Sequence, residues 1–253
     1  MFYNGQNDLT VQMIYKLQSR NVSVIDASTL VSRIDKKALQ GWAIKPFSML
    51  MTSFEEFLFL DADVIFFQDP QKLFQTQTYH DTGTLYFRDR TILPKNLKNL
   101  RYFKSLVENP SDYAKEERLW RNLSSHACDS GVILMNKKRG GMFVLILATI
   151  LNMDPFKLEM YKVIHGDKES YWMANEALRI PYSWGVGAGG AVGYLNPNVT
   201  DSICGPLYHI DANLSPLWFN GGITMNKRST YGRERLINLT HYAFDITFEN
   251  VTW

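Results

Sequence analysis

An α/β sandwich with a mainly parallel central sheet is the fold class that the sequence predicts. Short runs rich in β-branched and aromatic residues alternate with helix-periodic stretches along the chain. At 253 residues and 45% hydrophobic content there is enough apolar material for one large core, and no repeat or linker divides the chain, so a single domain over 1–253 is expected.

The elements follow in order. MFYNG reads as the tail of a strand with nothing in front of it. Asn7 or Asp8 can cap a helix to about Arg20, with Leu9, Met13, Ile14 and Leu17 on one face. VSVIDAS, Val22 to Ser28, reads as a strand. Pro46 suits the first turn of a short helix to Thr52, which leads into the strand Phe57 to Leu60. TGTLYF (Thr82 to Phe87) and SGVILMN (Ser130 to Asn136) are further strands, and the polar residues 92–125 between them are helix or loop. An apolar helix near Gly141 to Asn152 follows, then one in which Tyr171, Ala174 and Leu178 share a face. Beyond Pro181 the chain reads as loop-rich. GVGAGG, Gly185 to Gly190, matches G-x-G-x-x-G but lacks the preceding strand and following helix of a dinucleotide site, so it is read as a flexible loop.

Composition narrows the function classes. A net charge of +2 with a pI near 8.4 forecasts no nucleic-acid partner. The run Met142 to Leu151 is too short to cross a bilayer, and no stretch of the given sequence reads as a signal peptide. Cys128 and Cys204 either pair or are both free. N-x-S/T sequons occur at Asn21, Asn122, Asn198, Asn213, Asn238 and Asn250. Chance would give about two, so the excess points to the secretory pathway. Pro216 after Ser215 makes Asn213 a poor acceptor.

The chemistry concentrates in FLFLDADVIFFQDP, residues 57–70, where Asp61 and Asp63 close an apolar strand. Buried charge is costly without a partner, so these acids should reach a cavity, a cation or donors. Hard oxygen ligands at a strand's carboxyl end suit Mn²⁺ or Mg²⁺ bridging to a diphosphate. D-A-D-V also fits a haloacid dehalogenase-type phosphohydrolase with Asp61 as nucleophile, but Tyr171 stands where the later acidic pair needs a second Asp.

More pieces agree with another family. AIKPFSMLMTSFEEFLFLDADVIFFQDP, CDSGVILMNKK, HGDKESYWMANEAL and GPLYH followed by PLWFNGG, in that order, resemble the fungal Golgi α-mannosyltransferases of the α-1,3 type, with α-1,2 enzymes included. The resemblance covers about residues 41–222. It implies an A-type glycosyltransferase fold, a GDP-mannose donor, a divalent metal (commonly Mn²⁺) and retaining transfer onto a mannoside or glycoprotein acceptor. It also implies a Golgi-lumenal type II protein, and sister transferase subunits as possible partners.

By position, the resemblance assigns Asp61, Asp63 and His209 to the metal. Lys45, Asp61, Arg90, Asp129, Ser130 and Gly131 go to the donor, with Arg88 a weaker candidate beside Arg90. Asp167, Lys168 and Glu169 go to the catalytic step, with Lys168 and Glu169 facing the acceptor or the reacting side of the sugar, and Trp172, Trp218 and Asn220 go to the acceptor. The GVGAGG loop is the expected lid. Simpler roles stand beside these: Asp167 as a helix N-cap, Lys45 as a helix-end lysine in water, His209 as a partly buried histidine, Trp172 in the core. The family carries an anchor, a stem and a first strand-helix unit, and this chain reads as starting after them. A catalytically silent domain that binds glycans or a sister transferase is the non-enzymatic alternative.

Overall fold

The computed structural model describes residues 1–31, 36–195, 203–221 and 239–246. Its elements are β1 (Phe2–Tyr3), α1 (Val11–Gln18), β2 (Ile25–Asp26), α2 (Ile44–Met51), β3 (Glu56–Leu60), β4 (Val64–Phe66), α3 (Gln77–Thr82) and β5 (Thr84–Arg88). Then follow α4 (Lys98–Leu106), α5 (Asp112–Glu116), β6 (Cys128–Asn136), α6 (Met142–Leu151), α7 (Phe156–Met160) and α8 (Ser170–Leu178). The chain continues with β7 (Ser183–Leu195), β8 (Ile203–Cys204), β9 (Leu207–Ile210), β10 (Pro216–Asn220) and β11 (His241–Asp245).

Local chemistry explains where the helices and short strands begin. Thr10, not Asn7 or Asp8, caps α1: its side chain accepts from Met13 N at 3.3 Å. Asp8 instead turns its carboxylate back onto Asn4 N at 2.8 Å. Of VSVIDAS only Ile25 and Asp26 pair, in parallel with Phe2 and Tyr3. Asp26 Oδ1 then accepts from Ser28 N at 2.9 Å, which ends the strand in a 3₁₀ turn. The α2 helix starts two residues before Pro46, because a 3₁₀ turn at Gly41–Ala43 runs straight into it. Proline is tolerated there, since first-turn N–H groups have no intrahelical partner.

The main sheet runs β3-β6-β5-β7-β9-β10-β4, with β8 and β11 also paired to β7. It is mixed, not mainly parallel. Among its described strands β5 and β7 run parallel, while β3–β6, β5–β6, β7–β9, β9–β10 and β10–β4 are antiparallel. All nine residues of β6 are buried, so its apolar stretch Val132 to Met135 reads like part of a parallel strand although β6 runs back between β3 and β5.

Side chains alternate across β6. Ile133 and Met135 join the larger core against α2, α6 and α8, with Phe57, Tyr86 and Trp184. Val132 and Leu134 point the other way, into a second core with Leu85, Phe87, Leu217 and Trp218. The strand GVGAGG belongs to β7, so the expected flexible lid is part of the sheet. Its glycines answer to packing: a Cβ on Gly190 would lie 1.7 Å from Ala243 O on β11, and Gly187 has φ +69°.

Strands β3 and β4 stand at opposite ends of the sheet path, yet only residues 61–63 connect them. Seven strands laid flat would set the outer two about 29 Å apart, whereas four Cα steps reach about 15 Å at most. The sheet therefore curls until its two edges meet at Asp61-Ala62-Asp63. Backbone bonds fix the junction: Asp61 N donates to Gly131 O at 2.9 Å and Gly221 N to Asp63 O at 3.2 Å. Both cysteines are free thiols, Cys128 buried in β6 and Cys204 half-buried on β8.

Candidate functional site

Antiparallel register delivers the site. Because β6 runs against β3 and β5, with Leu60 opposite Val132 and Arg88 opposite Cys128, the end of β3, the end of β5 and the start of β6 share one edge. Asp61 and Asp129 meet there. Strands β9 and β10 add His209 and Asn220, α2 adds Lys45, and the turn before α8 adds Asp167.

Lys45 is the hub. Its ammonium lies 2.8 Å from the Asp61 carboxylate, 3.4 Å from Ser130 Oγ and 3.8 Å from Asp167 Oδ1. Burial disfavours its charge, but Asp167 and Asp61 outweigh that and raise its pKa. Burial raises the Asp61 carboxyl as well: Lys45 pulls it down, while Asp167 and Asp129 add like charge. Asp167 is also raised, chiefly by burial, and its Oδ2 accepts from the Tyr171 hydroxyl at 2.6 Å.

Asp129 is arranged differently. Burial pushes its pKa up, but the bond to His209, with that ring's charge, and the Gly131 N–H win, so it lies below its ordinary value. His209 Nε2 is 3.0 Å from Asp129 Oδ2, and Gly131 N donates to Oδ1 at 2.9 Å. The His209 ring stacks on Trp218 with centroids 4.1 Å apart. Gly131 leaves space for Asn220, whose Nδ2 would lie 2.6 Å from a Cβ placed there.

The structure gathers Lys45, Asp61, Asp129, Ser130, Gly131, Asp167, His209 and Asn220 at this edge, and several of the expected contacts differ. His209 faces Asp129, and among the described residues no group of three or more His, Cys, Asp or Glu side chains is placed to hold a metal. The three-ligand set Asp61, Asp63 and His209 is therefore not assembled, and Asp63, half-buried, lies in the connection to β4. Asp167 does not cap α8, since the cap position is Glu169 and no side chain fills it.

Glu169 is 0% exposed, and its oxygens accept from Ala127 N (3.1 Å), Cys128 N (3.3 Å) and Trp172 Nε1 (2.6 Å). It ties α8 to the start of β6 and reaches no ligand surface. Trp172 belongs to the core, and Trp218 is fully buried under His209, so neither presents a face to an acceptor. Arg88 forms a buried fork to Glu117, with Nη2 2.8 Å from Oε1, and does not face the crevice.

Lys168 pairs with Asp89 at 2.7 Å, and the half-exposed Arg90 stands 3.8 Å from the same carboxylate. Asp89 is the residue that the motif search passed over. Its signal was an acid between two arginines, Arg88-Asp89-Arg90, at the carboxyl end of a strand.

This edge belongs to a chain with recognisable relatives. The family model described as "Mannosyltransferase putative" matches residues 1–211. The chain belongs to this mannosyltransferase family. The Saccharomyces cerevisiae alpha-1,3-mannosyltransferase MNT3 is 25% identical over 279 residues, covering 90% of this chain and 43% of the relative. MNN1 from the same yeast is 25% identical over 225 residues, covering 74% and 29%. MNT2 is 21% identical over 235 residues, covering 82% and 41%. This family member thus spans less than half the length of these relatives. Among its described residues no helix is long and apolar enough to cross a membrane.

Proposed function

We propose that this family member is a retaining α-mannosyltransferase domain of A-type fold that takes GDP-mannose at the β3–β6 edge and transfers mannose to a mannoside acceptor in the Golgi lumen. The observation that carries the reading is the convergence of Lys45, Asp61, Asp129 and Asp167 where β3 and β6 meet, in a chain of this family. Family membership removes the ground for the phosphohydrolase reading.

The side chains divide the work by chemistry. Lys45 supplies a buried positive charge that can leave Asp61 for a diphosphate oxygen, and Arg90 can approach from the rim. Asp129, held ionised and oriented by His209 and Gly131, can accept from sugar hydroxyls, as can Ser130 Oγ. Asp167 balances Lys45 and keeps it extended into the crevice. Asn220, above Gly131, limits the space for the sugar.

Asp61 and Asp63 are of the right kind for Mn²⁺ or Mg²⁺, which prefer hard oxygens, and such an ion would neutralise charge developing on the departing diphosphate.

Calorimetry with GDP, with and without Mn²⁺, tests the donor site. Release of GDP from GDP-mannose that requires a mannoside acceptor tests transfer. Absence of both GDP binding and turnover overturns the reading.

A further inference from the structure

We propose that Asn21 and Asn122 carry N-linked glycans and that Asn213 does not, an inference that rests on the secretory-pathway reading above.

The structure places Asn21 and Asn122 in the same setting. Asn21 follows α1 with φ 60°; its N–H donates to Gln18 O at 3.0 Å and the next N–H to Leu17 O at 3.2 Å. Asn122 has φ 59°; its N–H donates to Leu119 O at 3.0 Å and the next to Arg118 O at 2.7 Å. Both pairs of bonds close a helical turn with a left-handed residue just past its end. Glycine meets that backbone demand at lower steric cost, so the turn alone does not call for asparagine. Asparagine adds a side-chain amide, exposed at both positions, with serine two residues on at Ser23 and Ser124. Within the fold Ser124 Oγ accepts from Ile92 N at 3.1 Å, which does not oppose transfer made before the chain folds.

Asn213 is exposed too, but its setting differs. Pro216 follows and restricts Ser215 to extended backbone, which denies the hydroxyl the bend it needs to reach the asparagine amide.

In the modification, the asparagine Nδ2 bonds to the anomeric carbon of an oligosaccharide carried on a lipid diphosphate. The bond from that carbon to the diphosphate oxygen breaks, the lipid diphosphate leaves with the electron pair, and the amide gives up one proton.

The test is translation of the complete chain behind a secretory leader with endoplasmic-reticulum microsomes, comparing wild type with Asn21→Gly, Asn122→Gly and Asn213→Gly. Glycine keeps the left-handed backbone, and the readout does not depend on folding. Asn21→Gly and Asn122→Gly should each lose one glycosidase-sensitive mobility step, and Asn213→Gly none. Site mapping after enzymatic deglycosylation in heavy-oxygen water should find labelled aspartate at 21 and 122 and unlabelled asparagine at 213. An unchanged ladder for Asn21→Gly or Asn122→Gly, or label at 213, overturns the proposal. Because the leader directs the chain into the lumen whatever its enzymatic activity, failure here is separate from failure of the transferase reading.

Discussion

Lys45 neutralises more than one acid, which makes it the most consequential side chain at the edge. Lys45→Met leaves Asp61 and Asp167 near each other without their cation, and GDP affinity in calorimetry should fall by about tenfold to a hundredfold, the weight of one charge-assisted contact. Gly131→Ala should act by a different route. The added methyl collides with Asn220 and Asp129, so donor binding should weaken while the thermal midpoint moves little. Asp129 has a definite pH signature. Its folded pKa lies below the ordinary aspartate value, so the stability it supplies is complete above that ordinary value and disappears as pH falls through the folded one. Acid unfolding of Asp129→Asn should lack this part of the slope, and an unchanged acid limb would contradict the assignment.

At the scale of elements, Glu169 joins α8 to β6. Glu169→Ala strands the N–H groups of Ala127, Cys128 and the Trp172 indole, and should cost roughly 2–4 kcal/mol in urea unfolding. Trp172→Ala should cost about 3–5 kcal/mol by opening the larger core. The runs that became β3, β5, β6, α6 and α8 were readable to within about two residues, because each is an apolar stretch long enough to fix its own period. Strand β7 was not. Glycine normally argues against a strand, and what requires it here is the approach of β11, some fifty residues away in sequence. Strand direction was also illegible, since an apolar run buried on both faces looks the same in either orientation. The acidic motif and Lys45 could be singled out because charge interrupts apolar runs there, whereas Asp129 and Asp167 sit in polar stretches and stood out by their places at a strand start and before a helix. The partners that turn His209, Trp218 and Glu169 inward come from distant strands, and no local pattern records them.

At the scale of the molecule, the packing separates two layers of responsibility. The core against α2, α6 and α8 holds the sheet's outer face, while the inner core with Leu85, Phe87, Val132 and Trp218 backs the acidic edge. A single glycine inserted between Asp61 and Asp63 should therefore abolish GDP binding with only a modest fall in melting temperature. The same insertion after Asn96, in a loop remote from the edge, should change neither.

The curl that brings β3 and β4 together works as a buckle whose tongue is the aspartate pair. Warming that loosens β4, three partly exposed residues at the end of the sheet path, would slip the buckle before the helical layer melts. Nucleotide capture should then fade several degrees below the loss of helical circular dichroism.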